Sequence, residues 1–279
     1  WGHPRFVIPA STLEPYGYAS LITSVIVTED KKIVMVDYAR DHIRVLAGST
    51  QTKALVGSDP WSMAFRRDGL VAVTREFSEP YYDYSWSFEP KVDFVNVSGA
   101  VPEVVSTIDT WNTYLGVCQG DGDTLIVSTE EEGARIEVID LSGDVVREIL
   151  NGSRSSMLME PRYLTRWGGD VYVSDWGSHK VFRVGLETGR VDSTFAGLNL
   201  SDLDLWQPRE VAFDDNGNMY VATGKAGAEN QWQVLMIQRN GTARVFLDNG
   251  VLTGMAPYGL TVDSGAIIVS LAYRDHKGW

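Results

Sequence analysis

One feature constrains this chain more than any other: a short strand motif returns six times. The runs VMVD (34–37), VAVT (71–74), IVST (126–129), YVSD (172–175), YVAT (220–223) and IVSL (268–271) share one shape, β-branched residues leading mostly to a small or acidic one. They end at residues 37, 74, 129, 175, 223 and 271, so the intervals are 37, 55, 46, 48 and 48. Periods of this size mark propellers and solenoids. Each run follows a turn signal (EDKK, RRDG, DGD, GGD, DNGN, DSG), and before each turn lies another strand-like segment: SVIVT, SMAF, LGVC, YLTR, EVAF, GLTV. Every unit therefore begins with a β-hairpin.

The second half of each unit repeats as well. HIRVL, KVDFVNV, RIEVIDL, KVFRV and QVLMIQR place apolar residues mainly in alternation, and each leads to a glycine turn and a further strand. Four antiparallel strands per unit and almost no helical period predict an all-β fold, a six-bladed β-propeller formed by residues 1–279 as a single domain. The last unit has only two clear strands, GLTVDS and AIIVSL, with HKGW left to supply a third. Its missing outer strand is expected from PRFVIPAS (4–11), whose pairing with the last blade closes the ring and removes exposed sheet edges.

Composition narrows the function classes. No stretch approaches the roughly 18 apolar residues needed to cross a bilayer, so no membrane partner is expected. The start, WGHPRFVIPAS, has two prolines and no apolar core of a signal peptide. It opens on Trp1, and a fragment of a longer chain or a processed one is expected. The single cysteine, Cys118, rules out an internal disulfide framework and a multi-cysteine zinc site. The expected location is cytoplasmic; the sequons at Asn96, Asn151, Asn199 and Asn240 are the argument for an extracellular one. A net charge of −13 argues against wholesale coating of nucleic acid but leaves room for a local basic patch.

With the units in register, EPRYLTRWGGDVYVSDWGSHKVFRV (160–184) and QPREVAFDDNGNMYVAT (207–223) resemble NHL repeats. Pro161, Asp175, His179 and Lys180 match that motif, with Ser178 where the family prefers Asn, and DYARDHIRVL and LAYRDHK are looser copies. The chain most resembles the C-terminal propeller of tripartite-motif (TRIM) NHL proteins. The resemblance implies an upstream RING, B-box and coiled coil, protein recruitment or RNA binding at the propeller, and oligomerisation only through those upstream segments. His42, His179 and His276 recur at one repeat position and read as blade packing rather than metal ligands.

Six-bladed propellers also include metal-dependent lactonases, which need carboxylates converging on a cation in the central channel. The inner strands here carry one carboxylate near a channel mouth, Glu210, and DDNGN (214–218) reads as a hairpin turn. No nucleophile elbow or phosphate loop is present. The expectation is a chain that is not an enzyme and has no cofactor, no metal and no catalytic residue.

Loops at the start of each inner strand and the end of each second strand share one face of a propeller, where ligands are commonly bound. That face is expected to hold Trp61, Trp111, Arg162, Trp206, Arg209 and Tyr258, then Arg75, Trp176, Lys225, Tyr273 and Arg274, against Glu130. Trp61, Trp111 and Trp206 share a repeat position, so blade packing is the alternative for them. The insertion EPYYDYSWSFEP (79–90) accounts for the 55-residue interval and adds Tyr81, Tyr84 and Trp86, either as a self-packed lid or as recognition surface. Arginine and aromatic residues predominate at binding hot spots, which favours an acidic or phosphorylated protein segment. The alternative ligand is an RNA stem-loop.

Overall fold

The computed structural model describes residues 21–57, 59–75, 90–131, 133–151, 157–252 and 255–272. Five four-stranded antiparallel sheets follow one another along the chain. Blade one is β1 (Ile22–Val27), β2 (Ile33–Asp37), β3 (His42–Ala47) and β4 (Thr50–Leu55). Blade two is β5 (Pro60–Phe65), β6 (Leu70–Arg75), β7 (Lys91–Asn96) and β8 (Glu103–Asp109). Blade three is β9 (Val117–Gln119), β10 (Leu125–Thr129), β11 (Arg135–Ile139) and β12 (Val145–Asn151). Blade four is β13 (Pro161–Trp167), β14 (Asp170–Asp175), β15 (Lys180–Gly185) and β16 (Val191–Asp192), followed by a hairpin of β17 (Thr194–Phe195) and β18 (Leu198–Asn199). Blade five is β19 (Val211–Phe213), β20 (Met219–Lys225), β21 (Ala228–Ile237) and β22 (Ala243–Leu247). The sixth unit is a two-stranded sheet, β23 (Ala256–Asp263) with β24 (Ala266–Ala272).

The fold is thus a β-propeller with five four-stranded blades, not the six expected. The inner strands nevertheless form a closed circuit: β1 neighbours β5, then β9, β13, β19 and β23 follow, and β23 returns to β1. A two-stranded hairpin fills the gap between blade five and blade one. The weakness was visible in the residues, since only HKGW remained to build a third strand there. Residues 4–11, expected to supply the outer strand, lie outside the described residues.

Period-two alternation explains the core, because successive side chains on a strand feed opposite layers. On β6, Val71 and Val73 pack toward blade one while Ala72 packs toward blade three. On β10, Leu125 and Val127 face blade two and Ile126 faces blade four. Tyr172 of β14 joins Val211, Met219 and Val221 of blade five, while Val171 and Val173 turn back to blade three. The core is a circle of apolar layers between blades rather than one central mass.

The repeated second strands add polar ties to these layers. Ser128, Ser174 and Ser270 donate from their hydroxyls to the carbonyls of Pro161, Arg209 and Ile22, at the start of the next inner strand or just before it, at 2.8, 2.5 and 2.8 Å. Thr74 does the same to Leu115 at 2.6 Å. The serine at the third position of three motifs, and the closing threonine of the second, therefore buckle one blade to the next. A closing acidic residue works within a blade: Asp175 accepts from the backbone N–H groups of Met159, Glu160 and Ser178. Asp37 holds the buried Arg44 guanidinium at 2.6 Å.

Two local features depart from expectation. The outer strand of blade four, RVDSTFA, breaks after Asp192, whose carboxylate accepts from the N–H of Thr194. Ala196 and Gly197 then both take positive φ, 51° and 82°, which closes the β17–β18 hairpin as a type I′ turn. In blade five, β21 starts at Ala228 rather than Gln233, so Trp232 belongs to the strand.

Candidate functional site

A proline and a register shift recur where inner strands begin. In β5, Pro60 pairs with Arg75 and the next paired residue is Met63 with Val73, leaving one residue extra on β5. β13 shifts between Pro161 and Tyr163, and β23 shifts between Pro257 and Leu260. Proline is tolerated at a strand's first residue, and a bulge re-aims the side chain it carries. The residue after each proline is Trp61, Arg162 or Tyr258; blade five repeats the order with Pro208 and Arg209. The chain thus uses one local device four times to send large side chains to the start of the ring's inner strands.

These side chains meet. The Arg209 guanidinium lies 3.4 Å from the centre of the Tyr258 ring and 4.7 Å from that of Trp232. Arg162 stands over Trp61 at 5.5 Å and over Trp176 at 5.1 Å. Trp176 joins the two halves, at 5.8 Å from Arg209 and 5.8 Å from the Trp61 ring. Tyr38 and Tyr163 complete the cluster against Trp61 at 5.6 and 5.8 Å. Cation–π contacts of this kind strengthen as they lose water, and Arg209 is only 2 % exposed. One of its N–H groups donates to the Pro257 carbonyl at 2.9 Å. Arg162, nearer the surface, also faces the exposed Glu130 carboxylate at 3.6 Å.

Burial moves the titrating groups beside this cluster. It pushes the Glu210 carboxyl up to about 8, against hydrogen bonds from Ser24 and the backbone of Leu260 and Val25 that lower it. Glu210 is therefore mostly neutral near pH 7, and its two oxygens tie blade five to β1 through Ser24 and to β23 through Leu260. Burial also raises the Tyr163 hydroxyl well above the usual phenol range. Far from the cluster, burial lifts the Cys118 thiol to about 12, which makes it an inert core group. Among the described residues, no three His, Cys, Asp or Glu side chains converge as a metal site.

The other expected site residues part company. Arg75 lies against Gly57, where its guanidinium fills the space a Cβ would take, and pairs with Asp93 at 3.5 Å. Lys225 is exposed at the end of β20. Trp111 is 81 % exposed, whereas Trp61 is buried and Trp206 stacks on His179 with centroids 4.1 Å apart. The three tryptophans do not share an environment, because Trp61 alone directly follows a strand-starting proline. Tyr81, Tyr84, Trp86, Tyr273 and Arg274, and the insertion 79–90 apart from Pro90, lie outside the described residues.

Three cluster members escaped the sequence reading: Tyr38, Tyr163 and Trp232. Tyr163 carried a signal, since it follows Arg162 at a strand start. Trp232 was hidden by an AGAEN segment that reads as loop but continues β21.

The chain matches no family model and no curated protein sequence. Among solved structures it is similar to a chain of a nidogen/laminin complex, with 15 % identity over 88 % of this chain and 86 % of that one and a TM-score of 0.65. A luciferin-regenerating enzyme is similar at 11 % identity, 93 % and 86 % coverage and a TM-score of 0.65. A catalytically inactive virginiamycin B lyase from Staphylococcus aureus, solved with quinupristin, is similar at 14 % identity, 92 % and 86 % coverage and a TM-score of 0.59. These likenesses correct the expectation that the chain is not an enzyme: propellers of this shape include named enzymes as well as a member of a protein complex. At such low identity the likeness is one of fold, and the chain is a β-propeller.

Proposed function

We propose that this propeller recognises a protein partner through the end of the ring where Arg162, Trp176 and Arg209 meet. The observation that carries the reading is the position of Arg162. Its guanidinium is half-buried, packs against the rings of both Trp61 and Trp176, and reaches the exposed Glu130 carboxylate at the surface. Preorganised arginines of this kind fit carboxylate or phosphate groups on a partner at little entropic cost. The exposed Trp206 and Lys225 supply rim contacts. A similar propeller in a complex with a protein partner supports the mode of action.

A protein is favoured over RNA because stacking of bases needs open ring faces. Trp61, Trp232, Tyr163 and Tyr258 are buried here, and the net charge of −13 repels phosphate chains at long range. The NHL-like residues Pro161, Asp175 and Lys180 extend the proposal to substrate reading in a cytoplasmic chain of tripartite-motif type.

The test is affinity capture with the wild-type chain and Arg162→Glu at about 150 mM salt, with and without nuclease. A specific protein retained by wild type should fall about thirtyfold or more in affinity for the variant, as expected of a hot-spot arginine, while the melting temperature stays within a few degrees. Nuclease-sensitive capture, or capture indifferent to Arg162, overturns the reading.

A further inference from the structure

Four buried hydrogen-bond donors of the aromatic cluster have no acceptor among the described residues: the indole N–H groups of Trp61, Trp176 and Trp232, and the Tyr163 hydroxyl. Other buried tyrosines do not share this state. Tyr114 donates to Glu137 at 2.8 Å, and Tyr220 is within 3.2 Å of an Asp214 oxygen. A buried donor without an acceptor costs about 1–3 kcal/mol, so four in one contiguous cluster form a concentrated deficit of acceptors. An indole N–H can only donate, and the two guanidiniums add donors and positive charge. Glu210 sits beside the cluster but is mostly neutral, and the Glu130 carboxylate faces Arg162 from the surface. At 3.6 Å from Arg162 it forms an ion pair longer than a charge-assisted hydrogen bond.

We infer that this cluster is an oxyanion site, in which a ligand's carboxylate or phosphate group accepts from the indole N–H groups and displaces Glu130 from Arg162. The acceptor supplies what the donors lack, and the arginine packed against the tryptophan rings supplies the countercharge. Glu130 acts as a tethered stand-in that competes with the ligand, so its removal exposes the full affinity. The inference deepens the recognition reading and rests on it only for what carries the oxyanion.

The test follows the indole N–H resonances of the 15N-labelled protein by two-dimensional NMR, with inorganic phosphate and acetate as separate probes. The nine tryptophans are assigned by single Trp→Phe substitutions. Hydrogen bonding to an anion should move the Trp61, Trp176 and Trp232 signals downfield in a saturable way and leave the exposed Trp111 unmoved. Glu130→Gln, a surface change, should tighten the apparent affinity about tenfold. Tighter binding of phosphate points to a phosphorylated segment, and tighter binding of acetate to an acidic one. Absence of saturable shifts in both variants with both probes overturns the inference. If partner capture still depended on Arg162 in that case, the recognition reading would stand without it. Saturable shifts together with Arg162-independent capture would keep the oxyanion site and remove its assigned bearer.

Discussion

Glu210 shows how one residue couples the ring to pH. Its carboxyl is buried and titrates near 8 in the folded chain, against about 4.5 when unfolded. Above pH 4.5 the unfolded chain releases this proton while the folded chain keeps it, so the folded state binds more protons and stability falls as pH rises. The loss is complete once pH passes the folded value. Its full size is on the order of 5 kcal/mol. Glutamine cannot ionise, and it can still accept from the Leu260 N–H while its amide donates to Ser24. Glu210→Gln should therefore match the wild type in urea denaturation near pH 5 and exceed it increasingly up to pH 9. A gap that stays constant with pH would mean that Glu210 is already charged in the fold.

At the scale of elements, blades are locked by small groups at repeat positions. Removing the Ser174 hydroxyl leaves the buried Arg209 carbonyl without that donor, so Ser174→Ala should cost about 1–3 kcal/mol. The exposed turn serine Ser142 is the control, expected within about 0.5 kcal/mol of wild type. The glycine turns before outer strands show the same logic. An alanine Cβ at Gly143, Gly189 or Gly241 would lie 2.1, 2.5 or 2.6 Å from a carbonyl oxygen: Asp109 of blade two, Ile149 of blade three, or Ala196 just after blade four. Gly48 of blade one also has positive φ, but among the described residues nothing lies within 4 Å of a Cβ there. Gly48→Ala should cost about 1 kcal/mol for its backbone alone, and Gly143→Ala on the order of 3 kcal/mol because blade two must yield. Equal costs would refute the packing role. These hairpins and turns were legible in the sequence because alternation and Gly or Asn turns are local signals. The buckling role of Ser128 and Ser174 was not, since it depends on which carbonyl the next blade presents. The same limit hid the Arg–tryptophan cluster: Arg162 and Arg209 could be placed on one end of the ring, but not the bulges that bury them, nor Trp232, whose strand runs through a loop-like segment.

For the whole molecule, the decisive element is the two-stranded sheet at the sixth position of the ring. The β23–β24 hairpin stands between blade five and blade one and holds both. Leu260, Val262, Ile267 and Val269 close the apolar layer of Tyr220, Ala222, Val234 and Met236, while Ile268 packs on Ile22, Val25 and Met35. Polar ties run the same way, from Ser270 to the Ile22 carbonyl and from Leu260 and Ser24 to Glu210. Exposing both layers at about 1.5–3 kcal/mol per large side chain gives a loss on the order of 10 kcal/mol, comparable to the whole stability of a typical domain. Blades would remain hydrogen-bonded within themselves, because each sheet is built from consecutive strands. A chain ending at residue 255 should therefore keep much of its far-ultraviolet β signal while losing near-ultraviolet signal and cooperative melting, and it should associate through the open gap. Adding residues 256–279 as a separate peptide should restore cooperative unfolding, since the hairpin needs no covalent link to fill its place. A truncated chain that stayed monomeric and melted cooperatively within a few degrees of the full one would show that five blades close without the hairpin, and that the sixth position is filled for function rather than for closure.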